Sequence, residues 1–595
     1  MTRHHRDADS VADAIIGEVG SRIVLGLPLG LGKANHIANA LYARAAADPS
    51  IHLTIFTALT LEKPRASNLL EGRFMDPIVE RLFGGWPDLA YVKALRSGTL
   101  PANIEVNEFF FLAGRWLGNE RAQRSYISAN YTHAVRYLVE RGVNVVAQLV
   151  ARKGERYSLS CNPDTILDLM RTGAKFLLAG EVNDELPFMP GEAELPETTF
   201  AHVLDDPALQ FPLFAPPREP IDLTEYAIGL HTARMIADGG TLQIGIGEEG
   251  DATAQSLILR HKENARFREA VARLGGPAPV LDEHEPFAQG LYGISEMFVE
   301  GFLELMDAGV LKREVDGALL HAAFFLGPKA FYRRLREMPD AQCAKLRMTS
   351  VSFTNELYGD QGTKTRARVE ARFVNGALMA TLLGALVSDG LEDGRVISGV
   401  GGQHNFVTQA FALPGARSII SVKATRRAGG KVTSNIRFNY GHVTIPRHER
   451  DVIVSEYGLA DIRGKSDEQV VAAMLAIADS RFQGELLRAA KDAGKIAKAY
   501  EIPAAFRDNT PERIERALKP LELSPYPFGC DFTPVEQRLL PALEKLKTAT
   551  PARLARLALA GGPRDSEALA RMGLDAPRSF AERAYARLVR AALSR

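Results

Sequence analysis

Short apolar runs alternate with stretches of helical periodicity through roughly the first five hundred positions, a pattern that predicts α/β layers with mainly parallel strands. The runs Ser21–Leu27, Ile51–Thr57 and Val143–Val150 read as strands, each followed by helix-compatible sequence or a Gly/Pro turn. The first ends in Gly26-Leu27-Pro28-Leu29-Gly30-Leu31-Gly32-Lys33 and opens a helix from Ala34 to about Ala46. A later strand, Thr241–Ile246, ends in Gly245-Ile246-Gly247 and opens another helix through Gln255–Leu259. Two strand–glycine–helix units predict two tandem, similar halves, with the Pro-rich stretch Phe211–Pro220 as linker. The predicted divisions are 1–215, 216–500 and 501–595. A helix over 467–493 starts with a capping box, Ser466 with Gln469. Beyond Pro503 the pattern is helical and Arg/Ala-rich, with breaks expected at Pro511, Pro541, Pro551 and Pro563. This extension reads as a cap or an assembly surface, leaving a homo-oligomer open.

Charge excludes some functions. Lys plus Arg and Asp plus Glu number 72 each, so nothing predicts bulk attraction to nucleic acid or an anionic membrane. The longest apolar run, around Ala377–Val387, is too short to span a bilayer. Cys161, Cys343 and Cys530 are far apart, which argues against a disulfide framework or a CxxC metal site. No metal is expected, and Cys161 reads as a buried, inert thiol. The polar start, with His4 and His5 read as a loose terminus, carries no secretory pattern, so the cytoplasm is the expected compartment.

Three segments carry candidate chemistry. In Gly293-Ile294-Ser295-Glu296-Met297-Phe298, Glu296 reads as a first-turn acid of an apolar-periodic helix, with Glu300 and Glu304 on a solvated face. Ser398-Gly399-Val400-Gly401-Gly402 follows a strand-like run and offers backbone N–H groups unobstructed by Cβ atoms, either a tight turn or an oxyanion nest. Gly245-Ile246-Gly247-Glu248-Glu249-Gly250-Asp251 opens a helix, a place suited to a polyphosphate or a pantetheine arm.

Those segments in that order, with Glu181–Pro187 and Val454-Ser455-Glu456-Tyr457-Gly458-Leu459-Ala460-Asp461-Ile462-Arg463-Gly464, resemble the acetyl-CoA hydrolase/transferase family from about Arg22 to about Ile496. The resemblance implies two tandem CoA-transferase-like α/β domains and places Glu296 at the family's nucleophile position. Coenzyme A is then substrate and covalent intermediate, not a resident cofactor, and the partners are an acyl-CoA and a small carboxylic acid. A carboxylate attacks an acyl thioester to give an anhydride, the released thiolate returns to form a glutamyl-CoA thioester, and a second acid takes the CoA.

Within that reading Gly402, with Gly401 adjacent, supplies the oxyanion hole. The acids Glu248, Glu249 and Asp251 would repel phosphate, so the loop Gly245, Gly247 and Gly250 is expected to face the pantetheine or the reacting carbonyl, with Ser398 near it. Lys423, Arg427 and Lys431, around Gly429-Gly430, are the expected phosphate ligands. Relatives often carry Lys where this chain has Ala428, and they differ again at Gln403-His404-Asn405. Lys33, Asn35, Asn130–His133 and Asn183–Pro187 are candidate walls for the acyl group. An acyl-CoA hydrolase would use the same site. A nicotinamide oxidoreductase is formally suggested by Gly245, Gly247 and Gly250, but Asp282 and Glu283 lie too far along for the ribose acid. A non-catalytic acyl-CoA sensor is the third reading.

Overall fold

The computed structural model describes residues 1–428, 430–563 and 565–594. Each half is built on a mainly parallel sheet whose strands are buried on both faces, which explains their unbroken apolar runs. In the N-terminal sheet Arg22–Leu29 is central. His52–Ala58 and Ile104–Glu108 follow on one side; Val145–Lys153, Leu177–Val182, His202–Leu204 and Arg3–His5 follow on the other. In the C-terminal sheet Thr241–Gln243 is central. Tyr292–Phe298, Leu320–Phe325 and Leu346–Met348 lie on one side; Ala371–Gly376, Arg417–Ser421 and Val452–Ser455 lie on the other, edged by the antiparallel Gly458–Asp461. Apart from Arg3–His5, which joins the far edge, the winding is the same in both: Arg22–Leu29 or Thr241–Gln243 is central, the strands that follow run out to one edge, and the later ones return to the other. The crevice where that order reverses is where such sheets bind ligands.

Three expectations are corrected here. Arg3–His5 is not a loose terminus, because it pairs in parallel with His202–Leu204. The Phe211–Pro220 stretch is not a free linker: Phe211, Leu213 and Phe214 are buried, and the Phe214 ring packs 4.6 Å from Phe83 and 5.1 Å from Trp86. Prolines made it read as a spacer, but its large apolar side chains are driven out of water. The helix expected over 467–493 is two, Asp467–Ala476 and Ser480–Asp492, because Asp479 caps a new start through the Arg481 N–H. The capping box at Ser466 is present.

The extension is helical, with Pro511–Leu518, Pro534–Lys547, Pro551–Ala560, Ser566–Arg571 and Phe580–Leu593. Pro511 and Pro551 start helices instead of breaking them, since the first turn has no use for their missing N–H, and Pro541 lies inside one. The extension caps the helix Leu69–Phe83: Arg571 donates to the Phe74 carbonyl at 2.9 Å and Arg81 pairs with Glu536 at 2.8 Å. Among the described residues no helix is long and apolar enough to cross a membrane.

Candidate active site

Glu296 lies in the strand Tyr292–Phe298, not in a helix; the helix starts only at Glu300. The run YGISEMF is flanked by strands on both sides, and Gly293 is a strand residue there, opposite Leu320. Period two puts Tyr292, Ile294 and Glu296 on one face. Glu300 and Glu304 are not a solvated face either. Glu300 pairs with Arg218 at 2.7 Å and Glu304 with Arg334 at 2.6 Å, and Glu300 is nearly covered.

The Glu296 carboxylate sits where three elements meet. Asn355, the last residue of the helix Val351–Asn355, donates its Nδ2 to Oε2 at 2.5 Å. A Cβ on Gly402 would stand 1.8 Å from the same oxygen, and one on Gly401 would stand 3.8 Å from Oε1. Gly402 has φ −95° and ψ 0°, a conformation open to any residue, so its backbone does not demand glycine. The carboxylate does. Gly401, at φ +58°, is in the left-handed region as well. Gly401 is bridged in parallel to Asn130, while the Gly402 N–H donates to no acceptor among the described residues and stands at the start of the helix Gln403–Ala412, where donors are unsatisfied. Burial pushes the Glu296 carboxyl up to about 7 against the Asn355 hydrogen bond, and Asp164 adds to the rise. The full negative charge expected at neutral pH is therefore only half present. Asn355→Asp should move the midpoint higher still, by removing the donor and adding a like charge; a pH–rate profile that stays put would contradict this.

The N-terminal half closes the other side. The Tyr131 N–H donates to the Gly401 carbonyl at 2.9 Å, the Phe111 N–H to the Ser398 carbonyl at 3.3 Å, and Ser398 Oγ to the Phe111 carbonyl at 3.1 Å. Phe110 packs on Gly399 and Gly401. Ser398 thus clamps the loop between the halves. Asn130 and Tyr131 lie against this loop, with Tyr131 buried. Lys33 and Asn35 do not. Lys33 is buried with Nζ on the carbonyls of Ala58 at 2.7 Å and Pro28 at 2.8 Å, and Asn35 holds the Pro87 carbonyl at 2.7 Å. Nor does the 183–187 loop face Glu296: Asn183 binds the Phe211 carbonyl at 3.0 Å, and Pro187 accepts from Ser160 at 2.6 Å.

The Gly245–Asp251 loop sits at the sheet's switch point. Gly247, at φ +99°, caps the helix Glu248–Lys262, and a Cβ on Gly250 would strike the Gly245 carbonyl at 2.1 Å. Its acids are held by protein groups. Glu249 accepts from Ser421, and Glu219, hydrogen-bonded to Glu248, is pushed up to about 8 by that contact and by burial. Burial raises Asp251 to about 7, with Glu300 adding to it. Lys423 is corrected as a phosphate ligand: its Nζ is engaged by Glu225, and the surrounding carboxylates outweigh burial and raise its pKa. Arg427 and Lys431 lie on an exposed hairpin, Thr425–Ala428 with Lys431–Ser434, apart from the groups that touch Glu296. Gly429, between them, lies outside the described residues.

Other motif residues are framework. Gln403 holds the Gly376 carbonyl at 2.8 Å, His404 pairs with Glu449 at 3.1 Å, and Asn405 donates to Thr132 at 3.1 Å. The Val454–Gly464 segment makes a hairpin in which the Glu456 carboxylate accepts the Ala424 N–H at 2.8 Å, and Arg417 ties Asp451 at 2.7 Å to Asp461 at 2.6 Å. Cys161 is buried, which raises its thiol pKa and leaves it inert as expected. Asn355, Phe110 and Asp164 were not legible as site residues: each comes from a separate segment with no periodicity or glycine turn to mark it.

Fold and site together define a doubly wound α/β protein that presents a strand-borne carboxylate to a glycine loop between two similar halves. Residues 327–490 match the acetyl-CoA hydrolase/transferase C-terminal domain. The 4-hydroxybutyrate coenzyme A transferase of Clostridium kluyveri is 27% identical over 321 residues, 53% of this chain and 64% of that one, so less than two thirds of that relative is spanned. The succinyl-CoA:cyclohexane-1-carboxylate CoA transferase of Geobacter metallireducens is 23% identical over 403 residues, 66% of this chain and 82% of that one. RipA from Yersinia pestis shares the fold, with TM-score 0.60 and 20% identity over 82% of this chain and 100% of that one. The match to the acetyl-CoA hydrolase/transferase C-terminal domain thus covers one segment of the second half, and these relatives, similar to the chain at low identity, are CoA transferases.

Proposed function

We propose that the protein is a CoA-transferase that moves CoA between a short-chain acyl-CoA and a free carboxylate, with Glu296 as nucleophile. The observation that carries this is the absence of room for any side chain at Gly402 beside the Glu296 carboxylate. A Glu296 oxygen attacks the thioester carbonyl, the C–S bond breaks, and an acyl-glutamyl anhydride and CoA thiolate result. The thiolate attacks the glutamyl carbonyl, releasing the carboxylate and leaving a glutamyl-CoA thioester. An acceptor carboxylate then repeats the sequence in reverse order. Each attack places negative charge on a carbonyl oxygen, which the Gly402 N–H receives, with Gly401 holding the loop beside it. The Gly245–Asp251 loop, with its carboxylates already engaged, suits the uncharged pantetheine arm; the phosphates would reach Arg427 and Lys431. The compartment is the cytoplasm, where thiols stay reduced.

Only ionised Glu296 attacks. Its carboxyl is raised to about 7, so turnover should rise with pH through a midpoint near that value and level above it. A profile flat from pH 5 to 9 would contradict this account. The reaction is tested by mixing protein, acetyl-CoA and a panel of carboxylates and measuring new acyl-CoA against free thiol. Transfer predicts acceptor-dependent acyl-CoA. The hydrolase alternative predicts free thiol regardless of acceptor.

A further inference from the structure

The seam between the halves holds a second cavity, of about 320 Å³, lined by none of the residues that touch Glu296. Pro190 and Glu192 of the N-terminal half face His321, Arg347, Thr349 and Phe353 of the C-terminal half across it. That volume falls within the range of small-molecule sites.

Its polar groups are arranged for an anion. His321 Nδ1 lies 2.7 Å from the buried Tyr292 hydroxyl. Burial keeps that hydroxyl protonated and lowers the His321 ring to about 3, so the imidazole is neutral. With the phenol donating to Nδ1, the ring proton resides on Nε2. Arg347 donates one Nη2 hydrogen bond, to the Asp316 carbonyl at 2.7 Å, and pairs with no carboxylate among the described residues. The one acid on the rim, Glu192, is already engaged by Arg171 at 3.2 Å and Thr349 at 2.9 Å. Phe353 and Pro190 leave an apolar wall between these donors.

The cavity is also wired to the nucleophile. Phe353 stands against the His321 ring, with centroids 5.0 Å apart. It belongs to the short helix Val351–Asn355, whose final residue holds the Glu296 carboxylate. His321 in turn lies beside Ile294 in the neighbouring strand, two residues before Glu296.

We propose that this cavity binds a small organic acid, its carboxylate held by Arg347 and the His321 Nε2–H and its apolar body by Phe353, and that its occupancy alters turnover through the helix that ends at Asn355. The binding half stands on the cavity alone; the coupling half rests on Glu296 as nucleophile.

Calorimetry with benzoate and with hexanoate tests the binding half on the wild type, Glu296→Gln, Arg347→Ala and Ala344→Trp. Ala344 is an exposed rim residue, so its replacement fills the cavity without entering the core. One acid per chain is expected to bind the wild type and Glu296→Gln. Arg347→Ala should weaken it by roughly tenfold or more, the usual loss for a charge-assisted contact, and Ala344→Trp should abolish it. Steady-state kinetics test the coupling: the acid should change kcat without raising KM for acyl-CoA or for the acceptor, and Ala344→Trp should remove that effect. Absence of binding by both probes, equal binding in Ala344→Trp and Arg347→Ala, or purely competitive behaviour against the acceptor would overturn the site. Retained binding with an unmoved kcat would overturn the coupling and leave the nucleophile unaffected.

Discussion

Glu296→Gln is expected to lose turnover by at least about four orders of magnitude, since removing a nucleophile removes the covalent route itself. The same variant should be more stable than the wild type above neutral pH. A carboxyl that titrates near 4.5 when unfolded is raised to about 7 in the fold. The native state therefore binds the proton more tightly, and stability declines as pH rises between those two values and stays reduced above the higher one. The wild type carries up to about 3 kcal/mol of this penalty above neutral pH. Glutamine keeps the shape and sheds the charge, so thermal unfolding of the two proteins should coincide near pH 4 and diverge above pH 7. Identical melting at pH 8, or turnover within tenfold of the wild type, would remove Glu296 from the role.

Gly402→Ala is expected to lower kcat by roughly a hundredfold to a thousandfold, the effect of losing one oxyanion donor. The methyl would stand 1.8 Å from Glu296 Oε2 and 2.8 Å from its carboxyl carbon, so the carboxylate or the loop must move. Because φ −95° suits alanine, the loss comes from displacement of attacking and stabilising groups, not from backbone strain. Affinity for CoA, measured by calorimetry, should change far less, since contacts remote from the thioester supply most of it. Adding Glu296→Ala removes the carboxylate collision and leaves Asn355 Nδ2, 2.3 Å from the methyl position, so it should recover part of the thermal stability without restoring activity. A stable Gly402→Ala variant with normal turnover would make Gly402 a turn residue only.

Much of the fold was legible because period-two and helical patterns are local. The central strands and the helices after Gly30–Lys33 and Gly245–Gly247 fall within a few residues of expectation. The Glu296 segment misled because a glycine, an acid and a following apolar run satisfy a helix start and a buried strand equally. Only the flanking strands of the sheet decide between them, and these come from sequence far away. The same non-locality hid Asn355, whose amide meets the carboxylate across 59 positions. Lys423 was assigned to phosphate from its place in a basic run, yet Glu225, a capping-box residue 198 positions earlier, takes its charge. The glycines of the 399–402 loop were legible for the converse reason: several in succession mark a close approach of backbone to something. The structure identifies that something as Phe110 and the Glu296 carboxylate.

The central claim is that CoA becomes covalently attached to Glu296. Protein incubated with acetyl-CoA and no acceptor, digested and analysed by mass spectrometry, should carry a CoA-sized adduct on the peptide containing Glu296. Borohydride should reduce it to an alcohol and inactivate the enzyme, and Glu296→Gln should carry none. An adduct on Cys161, Cys343 or Cys530, or an unmodified enzyme that still turns over, would contradict the account.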